Sequence, residues 1–569
     1  MKGETIGWWK WKKINFLMGC VGKIQRWKLK KASKDVKKTQ EKTLRDILES
    51  AKDTVYGKEH NFSKVLEAKS ADELFKLYKE NVRVNDYEDL RPYINRHMHG
   101  ESDILFPGKP KMYATTSGTT SEPKWIPITY KYFKDIYGNM NRLWLYNFID
   151  ANPDTFAGGV VSIVGKAIEG AAPDGTVYGS VSGVSFTNCP PFVQVAYTAP
   201  PAVFEISDYR ARYYTIMRLG IEHNSTLLIT ANPSTIVEMQ NNVNEYFDEY
   251  VKDIENGTLK EDLDIPASVR EALKSRLHPN PKRAAELRKI KSEHDVLLPK
   301  HYWPDMACVT CWHCGNTKVY LDKLKDSFPE GCVQPEFGYF ASECRAGLVM
   351  NVKDDTTLFA HMHYFEFTKE EDLDNEHPEY LTIDQLEKGK RYCMYVTTWS
   401  GLYRYNMNDL VEVTGFNGTI PTIQFIQKVN GIITLTGEKL HERQFIQAVH
   451  EAEDETGIKT KFFIGFADAE RSGYDFYYEF VDRSIDQQKA EEFTKVVDSH
   501  LKKINCEYEA KRDSFRVKDP QTFRLIDNAF ETFKQQCISE GARDGQFKLM
   551  LLLNDPKRHE KFKKLVIAE

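Results

Sequence analysis

Apolar residues recur at helical spacing in several stretches of the chain, and glycines or capping residues mark the ends of these stretches. The first stripe, which Gly57 ends, comprises Leu44, Ile47, Leu48, Ala51 and Val55. Ser207 is positioned to cap a helix that reaches Gly220. Another helix is predicted to begin at residues 232–234 and to end by Gly257.

Runs rich in β-branched and aromatic residues alternate with these helices and predict strands. They lie at 226–230, 306–312, 347–352, 358–367 and 392–399. Strands that alternate with helices predict an α/β architecture. The dense strands between 347 and 427 predict an antiparallel sheet or barrel attached to it. The charged stretch 260–293 predicts exposed helices, with a disordered insert as the alternative.

Beyond residue 427 the pattern predicts a second, smaller unit. Its strands are predicted at 462–466, 476–481 and 546–553, and its helices at 485–503 and 527–539. This mixture is typical of a small α+β domain. We therefore divide the chain into a segment 1–40, a large domain 41–427 and a small domain 428–569.

The composition fits a globular protein with more than one domain. The chain has 569 residues, of which 41% are hydrophobic and 28% are charged. Its net charge of -5 argues against a nucleic-acid partner. Apolar runs of the length that a transmembrane helix needs are absent. Ten dispersed cysteines predict no disulfide framework and favour a reducing, cytoplasmic compartment.

The first forty residues are basic and rich in tryptophan. They hold twelve Lys or Arg residues, only Glu4 and Asp35 as acidic residues, and four tryptophans. Lysines interrupt the apolar stretch, so we do not interpret it as a secretory signal. Such a segment can lie on an anionic membrane surface. We favour a solvated helix that packs its aromatic side chains on the large domain.

A polar loop before Lys124 is the strongest candidate for chemistry. Five of its six residues carry hydroxyl groups, and the loop reads Thr115, Thr116, Ser117, Gly118, Thr119, Thr120. Hydroxyl groups and the amides exposed at a glycine can surround phosphate oxygens, and a nearby lysine adds positive charge. The pattern is not that of a Walker A loop, and by composition alone a polar surface turn is the alternative.

Three later segments stand out beside this loop. They read Tyr339-Phe340-Ala341-Ser342-Glu343, then Gly401-Leu402-Tyr403-Arg404-Tyr405 followed by Asp409, then Phe425-Ile426-Gln427-Lys428. In this order, the four motifs resemble those of the acyl-adenylate-forming superfamily. Within it, the chain is most similar to the auxin-responsive Gretchen Hagen family of acyl-acid amido synthetases. The resemblance extends over about residues 40–560.

The resemblance implies an ATP site in the large domain. The polar loop and Lys124 would hold the phosphates. The nucleotide would be contacted by Tyr339, Phe340, Ala341 and Ser342. Glu343 would bind Mg²⁺, because a hard carboxylate suits that ion. Asp409 would accept hydrogen bonds from both ribose hydroxyls, because a carboxylate offers two acceptor oxygens.

Two lysines are assigned catalytic roles by the same resemblance. Lys428 occupies the hinge at which the small, mobile domain would turn between two half-reactions, and it would reach the phosphates. Lys548 resembles a C-terminal lysine that enters the site during adenylation. The implied reaction uses ATP and Mg²⁺ to form an acyl-adenylate, and then transfers the acyl group to an amine, usually an amino acid.

Three positions depart from the family pattern. Phe340 stands where a small residue is usual, Asn406 replaces an arginine and Asn408 replaces a glycine. These changes keep open a non-catalytic nucleotide-binding or scaffold protein. A thioester-forming acyl-CoA ligase is the alternative of the same class.

Two further groups of residues were weighed as metal or catalytic sites. Cys308, Cys311, His313 and Cys314 have a spacing that can bind zinc, but no second pair completes a tetrahedral set. We interpret the cysteines as buried small residues of a core strand. Residues 361 and 363 are histidines that are predicted to share one face of a strand.

Overall fold

The computed structural model describes residues 8–116, 124–189, 191–314, 317–373, 375, 377–429, 432–433, 435, 438, 440–468, 470–513, 517–539 and 550–567. The α-helices are α1 (Trp8–Ala32), α2 (Val36–Ala51), α3 (Val55–Glu59), α4 (Phe62–Leu66), α5 (Ala71–Asn81), α6 (Tyr87–Met98), α7 (Gly138–Ala151), α8 (Val181–Thr187), α9 (Pro191–Gln194), α10 (Tyr209–Glu222), α11 (Pro233–Glu245), α12 (Phe247–Asn256), α13 (Ala267–Leu273), α14 (Pro281–Glu293), α15 (Pro299–Tyr302), α16 (Lys318–Lys323), α17 (Glu442–Thr456), α18 (Gln487–Ile504), α19 (Cys506–Asp513), α20 (Ala529–Ser539) and α21 (Pro556–Lys563). 

The β-strands are β1 (Met112–Thr116), β2 (Lys124–Ile128), β3 (Gly159–Ser162), β4 (Gly170–Ala171), β5 (Val177–Gly179), β6 (Ser225–Ile229), β7 (Cys308–Thr310), β8 (Tyr339–Phe340), β9 (Arg345–Val349), β10 (Thr356–Leu358), β11 (Tyr364–Lys369), β12 (Leu381–Thr382), β13 (Arg391–Thr397), β14 (Tyr405–Asn417), β15 (Ile420–Lys428), β16 (Ile432–Ile433), β17 (Leu440–His441), β18 (Thr460–Asp468), β19 (Gly473–Phe480), β20 (Gln521–Arg524) and β21 (Leu552–Leu553).

The chain divides into two compact units, Met1–Ile426 and Gln427–Glu569. The first unit contains a mixed sheet in the order β2-β1-β5-β4 and a parallel sheet in the order β3-β6-β7. It also contains most of an eight-stranded sheet in the order β12-β11-β13-β14-β15-β10-β9-β8. The second unit contains a sheet in the order β20-β19-β18-β21, against which α17 and α18 supply apolar residues. 

The eight-stranded sheet confirms the predicted antiparallel sheet beside an α/β domain. Antiparallel ladders join β8 to β9, β9 to β10, β10 to β15, β12 to β11, β11 to β13 and β13 to β14. The small unit combines helices with a four-stranded sheet, as predicted for an α+β domain. The exposed helices that were predicted within 260–293 are α13 and α14.

Two predicted helix boundaries were wrong, and local capping explains both. The stripe at 44–51 is buried, but α2 ends at Ala51 and Val55 begins a separate helix. The Thr54 side chain accepts the Gly57 N–H at 3.0 Å, so it starts the new helix and places Gly57 inside it. The helix that was predicted to begin at Ser207 is capped instead by Asp208, which accepts the Ala211 N–H at 2.7 Å.

The basic N-terminal segment forms α1, which packs along α7. Trp11 is buried and donates its indole N–H to the Pro153 carbonyl at 3.1 Å, as the packing prediction required. The same prediction was wrong for Trp27, which is 61% exposed. Contact with a membrane surface stays a prediction. Within the described part of the chain, no helix has the length and apolar character needed to span a bilayer.

His361 and His363 do not share a strand face, because the predicted strand 358–367 is interrupted. β10 ends at Leu358 and β11 begins at Tyr364, and both histidines lie in the connection, where His363 is fully buried. The Gln40 amide donates to the backbone carbonyls of Ala360 and His363, at 2.6 and 2.7 Å, and holds this connection against α2. The interruption therefore arises from a tertiary contact that sequence periodicity does not reveal.

We expect His363 to contribute strongly to acid unfolding. Burial lowers the pKa of its imidazole from 6.5 to about 3. Between these two values the unfolded chain binds a proton that the folded chain does not, so stability falls as the pH drops through this window. Each pKa unit corresponds to about 1.4 kcal/mol. Urea unfolding of His363→Phe should show a flatter dependence of the unfolding free energy on pH below 6 than the wild type. An unchanged dependence would contradict the assignment.

Candidate nucleotide-binding site

The predicted phosphate loop connects β1 to β2. Antiparallel pairing sets Thr115 opposite Trp125 and Thr116 opposite Lys124, so both ends of the loop lie side by side. The four loop positions from 117 to 120, with Ser117, Gly118, Thr119 and Thr120, lie outside the described residues. Lys124 extends beside Tyr87, with its Nζ atom 5.8 Å from the ring centroid. 

Tyr87, at the start of α6, joins the end of this loop to β14. Its hydroxyl oxygen accepts the Trp125 N–H at 2.6 Å. Two residues earlier, Asn85 donates its N–H to the Arg404 carbonyl at 3.0 Å and accepts the Asn406 N–H at 2.9 Å. These bonds fix the beginning of β14 next to the segment that leads into α6. The phosphate loop and the Asp409 motif therefore share one scaffold.

Asp409 lies in a bulge of β14. In the ladder with β13, Cys393 lies opposite Leu410 and Tyr395 lies opposite Asn406. One residue of β13 is therefore matched by three residues of β14, and Asp409 is the last of these three. Bulges bend a strand and redirect side chains, and they are frequent beside active sites.

Asp409 receives a hydrogen bond from the hydroxyl of Tyr339. Four strand spacings separate β8 from β14, which is roughly 19 Å in a flat sheet and well beyond the reach of a tyrosine. The contact therefore requires a strongly curled sheet, as strand twist permits. Curling brings Tyr339, a predicted nucleotide contact, next to Asp409, the predicted ribose ligand.

Glu343 lies in the tight turn between β8 and β9. The Ala341 N–H donates to the Cys344 carbonyl at 3.0 Å, which closes the turn around Ser342 and Glu343. Gly338 precedes the element with a φ of +97°, and a Cβ there would lie 2.9 Å from the Gly347 carbonyl oxygen. Glycine is therefore required for the backbone to enter this turn.

The negative charges of the two carboxylates meet at Tyr405. Burial, followed by the charges of Glu343, Asp86 and Asp409, raises the pKa of the Tyr405 hydroxyl well above its usual value. Burial and the Asp409 and Glu343 charges do the same for Tyr339. The charges of Glu343 and Asp409 act on both tyrosines, and such neighbouring negative charges favour a bound cation. 

The backbone explains why asparagine replaces glycine at position 408. Asn408 has a φ of +57°, in the left-handed region that glycine adopts freely and that asparagine tolerates better than most residues. The Asn406 side-chain oxygen accepts the Asn408 N–H at 2.9 Å and stabilises the same bulge. Both departures therefore support the local geometry that positions Asp409, and neither argues for a lost site.

Replacing Asn408 provides a test of this explanation. Asn408→Gly is expected to keep the free energy of unfolding within about 1 kcal/mol of the wild-type value. Asn408→Val should be destabilised by about 1–2 kcal/mol or more, because a β-branched residue is strained at this φ. Chemical denaturation measures both. Equal stability of the two variants would show that the bulge does not depend on the left-handed residue.

Phe340 places its ring away from the Tyr339–Asp409 contact. The ring lies 5.1 Å from the Phe337 ring and 5.8 Å from the Trp144 ring, and 4.1 Å from the Arg345 guanidinium carbon. The large residue at this position therefore completes an aromatic cluster around Arg345. Sequence reasoning missed Arg345 and Tyr87, because neither belongs to a recognisable spacing of catalytic residues.

Arg404, within the Gly-Leu-Tyr-Arg-Tyr motif, has a structural partner. Its Nε atom donates to Glu366 on β11 at 2.8 Å, and its Nη1 atom donates to the Val82 carbonyl at 2.7 Å. Both charged side chains are almost fully buried. The motif thus anchors the start of β14 as well as supplying Asp409.

The side chains of the two predicted catalytic lysines lie outside the described part of the chain. Lys428 ends β15, two residues beyond the boundary between the two compact units, and its side chain lies outside the described part. Lys548 lies outside the described residues altogether. Their roles stay predictions.

Cys308 and Cys311 are buried in the parallel sheet at β7, where burial raises the pKa of both thiols well above the usual value. Among the described residues, no three His, Cys, Asp or Glu side chains form a metal cluster. 

Two solved structures share the fold of this chain. The chain is similar to the structure of GH3.15 acyl acid amido synthetase, with a TM-score of 0.81 and 21% identity over 95% of each chain. It also resembles 2-hydroxyisobutyryl-CoA ligase in the postadenylation state, with a TM-score of 0.53 and 12% identity over 92% of this chain and 90% of that one. The chain therefore shares its fold with these two enzymes.

The chain belongs to the GH3 family. The family models of the three GH3 domains match residues 25–333 (N-terminal domain), 356–428 (central domain) and 443–557 (C-terminal domain) of this chain. A similar curated protein is the probable indole-3-acetic acid-amido synthetase GH3.1 of Arabidopsis thaliana, 25% identical over 90% of this chain and 89% of that protein. Another is jasmonoyl--L-amino acid synthetase JAR4 of Nicotiana attenuata, 24% identical over 74% of each. The predicted family and the predicted enzyme class, an acid-amido synthetase, are confirmed.

Proposed function

We propose that this chain uses ATP to adenylate a carboxylic acid and then transfers the acyl group to an amine, in particular to an amino acid. The observation that carries the proposal is the contact of Tyr339 with Asp409, on a strand whose start is hydrogen-bonded to the segment that places Tyr87 beside Lys124. The charge of Glu343 also acts on Tyr339. Membership in a family of acid-amido synthetases supports the same reaction.

In the first half-reaction, an oxygen of the substrate carboxylate attacks the α-phosphorus of ATP. The bond to pyrophosphate breaks, and the acyl-adenylate remains. Lys124 and the amides of the loop 115–120 stabilise the charge that develops on the phosphates. Asp409 holds the ribose hydroxyls, which fixes the α-phosphorus for attack. Tyr339 holds Asp409 in place through their hydrogen bond.

The residues present fit Mg²⁺ that arrives with ATP. Glu343 is a half-buried carboxylate in a tight turn, and its charge and that of Asp409 both act on Tyr405. Mg²⁺ is usually bound by one or two carboxylates together with substrate phosphates, so a complete protein cage is not needed. When bound there, the ion would neutralise charge on the phosphate oxygens. Glu343 is its proposed ligand.

In the second half-reaction, the nitrogen of an amine attacks the acyl carbon of the mixed anhydride. The bond to AMP breaks, the nitrogen loses a proton, and an amide and AMP are released. We propose that the small domain reorients at Lys428 between the two steps and that Lys548 acts in the first step. The proposed compartment is the cytoplasm, because the cysteines described are all free thiols.

Product analysis tests the acceptor. The protein is incubated with ATP, Mg²⁺ and mixed carboxylic acids, together with either the twenty amino acids or coenzyme A. We expect AMP release and an acyl-amino acid that mass spectrometry detects in the first mixture only. An acyl-CoA product without an amide would instead establish a thioester-forming ligase. Binding of ATP without either product would indicate a non-catalytic nucleotide-binding protein.

A further inference from the structure

Arg345, at the start of β9, is a buried cation that forms no ion pair with any carboxylate of the described residues. Its residue is 7% exposed, and its guanidinium carbon lies 3.4 Å from the ring centroid of Tyr137 and 4.1 Å from that of Phe340. Its Nη1 atom donates to the Asn141 side-chain oxygen. In the part of the chain that the structure describes, no carboxylate oxygen lies within 4.0 Å of its nitrogens.

The other buried arginines of the described residues have acidic partners. Besides Arg345, three arginines are buried in the described residues, and each forms an ion pair. Arg218 pairs with Glu222, Arg404 pairs with Glu366 at 2.8 Å, and Arg512 pairs with Asp498 at 2.8 Å. Burying a charge without a counter-charge costs on the order of several kcal/mol. Arg345 is therefore the described buried arginine whose counter-charge the chain does not supply.

The position of Arg345 connects it to the proposed site. It follows the proposed metal ligand Glu343 by two residues, and it pairs with Phe340 in the β8–β9 ladder. Phe340 itself is the neighbour of Tyr339, which contacts Asp409. The aromatic rings of Phe337 and Trp144 stand 4.9 Å apart beside it. Arg345 is thus linked through Phe340 to the strand that carries Tyr339, and through the β8–β9 turn to Glu343.

We propose that Arg345 binds a negatively charged group of the acid substrate, and that this group is separate from the carboxylate that is adenylated. The substrate class is then a dicarboxylic acid, or another acid with a second anionic group. The inference rests on the proposed function. It also explains the large residue at position 340, because the Phe340 ring covers one face of the guanidinium and Tyr137 covers another.

A second anionic group fits the guanidinium better than the reacting carboxylate does. Adenylation removes the charge of the reacting carboxylate, so a tight ion pair with it would favour the ground state and slow the step. A second carboxylate keeps its charge through both half-reactions. The planar guanidinium can also bind a carboxylate with two parallel hydrogen bonds, which adds geometric selectivity.

Matched pairs of acids test the proposal directly. Acid-dependent exchange of labelled pyrophosphate into ATP is measured with terephthalate and adipate and with their monomethyl esters, which keep one carboxyl group to activate but lack the second charge. The wild type is expected to use each diacid about 10- to 100-fold more efficiently, in kcat/KM, than its monoester, as for a charge-assisted hydrogen bond. Arg345→Met should bring this ratio to about one or reverse it.

Two measurements separate recognition from a structural role. Because Arg345→Met removes an unpaired buried charge, its thermal midpoint should equal or exceed that of the wild type. Arg345→Lys keeps the charge without the planar fork and should retain part of the preference for diacids. Arg142→Met, which removes an exposed arginine on α7, is the matched control and should change neither the ratio nor the midpoint.

The outcomes are distinguishable. Exchange with both members of each pair at equal rates, or a lower thermal midpoint of Arg345→Met with the same fractional loss for all acids, would overturn the inference and leave the proposed function standing. Loss of amide formation without a change in the exchange ratio would assign Arg345 to the amine and would also overturn it. Absence of exchange with every acid would overturn the proposed function and the inference together.

Discussion

Glu343→Ala is expected to abolish adenylation while leaving the fold intact. The carboxylate lies in the β8–β9 turn beside Tyr405 and near Asp409, where it is the proposed ligand for the metal that accompanies ATP. Removal of one preorganised charge-stabilising group commonly costs about 10²- to 10³-fold in rate. Stability should be unchanged, because Glu343 is half-buried and the turn is closed by the backbone bond between Ala341 and Cys344.

The measurement is pyrophosphate exchange at saturating acid, accompanied by a thermal unfolding curve. Glu330→Ala is the control, since Glu330 is exposed and lies outside the β8–β9 turn. It should retain the full exchange rate. A Glu343→Ala variant with wild-type exchange would show that the metal assignment is wrong, even if ATP still binds.

Arg404→Leu is expected to cause the largest loss of stability. The substitution leaves Glu366 buried and without its ion pair, at 1% exposure, and it removes the bond to the Val82 carbonyl. Breaking a buried pair in this way costs about 3–5 kcal/mol. Because Arg404 anchors the strand that carries Asp409, exchange should fall as well. Urea unfolding measures the stability, and the exchange assay measures the rate.

An equivalent pair on the same sheet serves as the control. Arg391 and Glu412 form an ion pair at 3.0 Å but are 28% and 31% exposed, so Arg391→Leu should cost at most about 1 kcal/mol. The double variant Arg404→Leu/Glu366→Leu should recover part of the loss, because it removes the stranded charge. Similar costs for the Arg391 and Arg404 variants would contradict the anchoring role.

Periodicity predicted which segments form helices and strands better than it predicted where they end. The buried stripe at 44–51 was found, but the break before Val55 depends on a threonine side chain that caps a new helix. The strand pattern at 358–367 was continuous in sequence, yet Gln40 from α2 holds a turn open within it. Such boundaries follow from single side-chain contacts, which hydrophobic patterns do not encode.

The residues of the candidate site were predicted from motif order, while their contacts were not. No sequence pattern places Tyr339 against Asp409, because that contact depends on how far the eight-stranded sheet curls. Only the backbone angle of +57° shows why asparagine can stand at position 408, and no sequence pattern reveals that angle. Arg345 was missed because most arginines are exposed, and a sequence does not reveal which one lacks a counter-charge.

Acid-dependent pyrophosphate exchange by the wild-type protein tests the central claim most directly. The protein is incubated with ATP, Mg²⁺, labelled pyrophosphate and each of a panel of mono- and dicarboxylic acids, without any amine. Reversible adenylation predicts that label returns to ATP only when a suitable acid is present. Label that never returns with any acid, in a protein that is folded and binds ATP, would contradict the claim that this chain activates carboxylic acids.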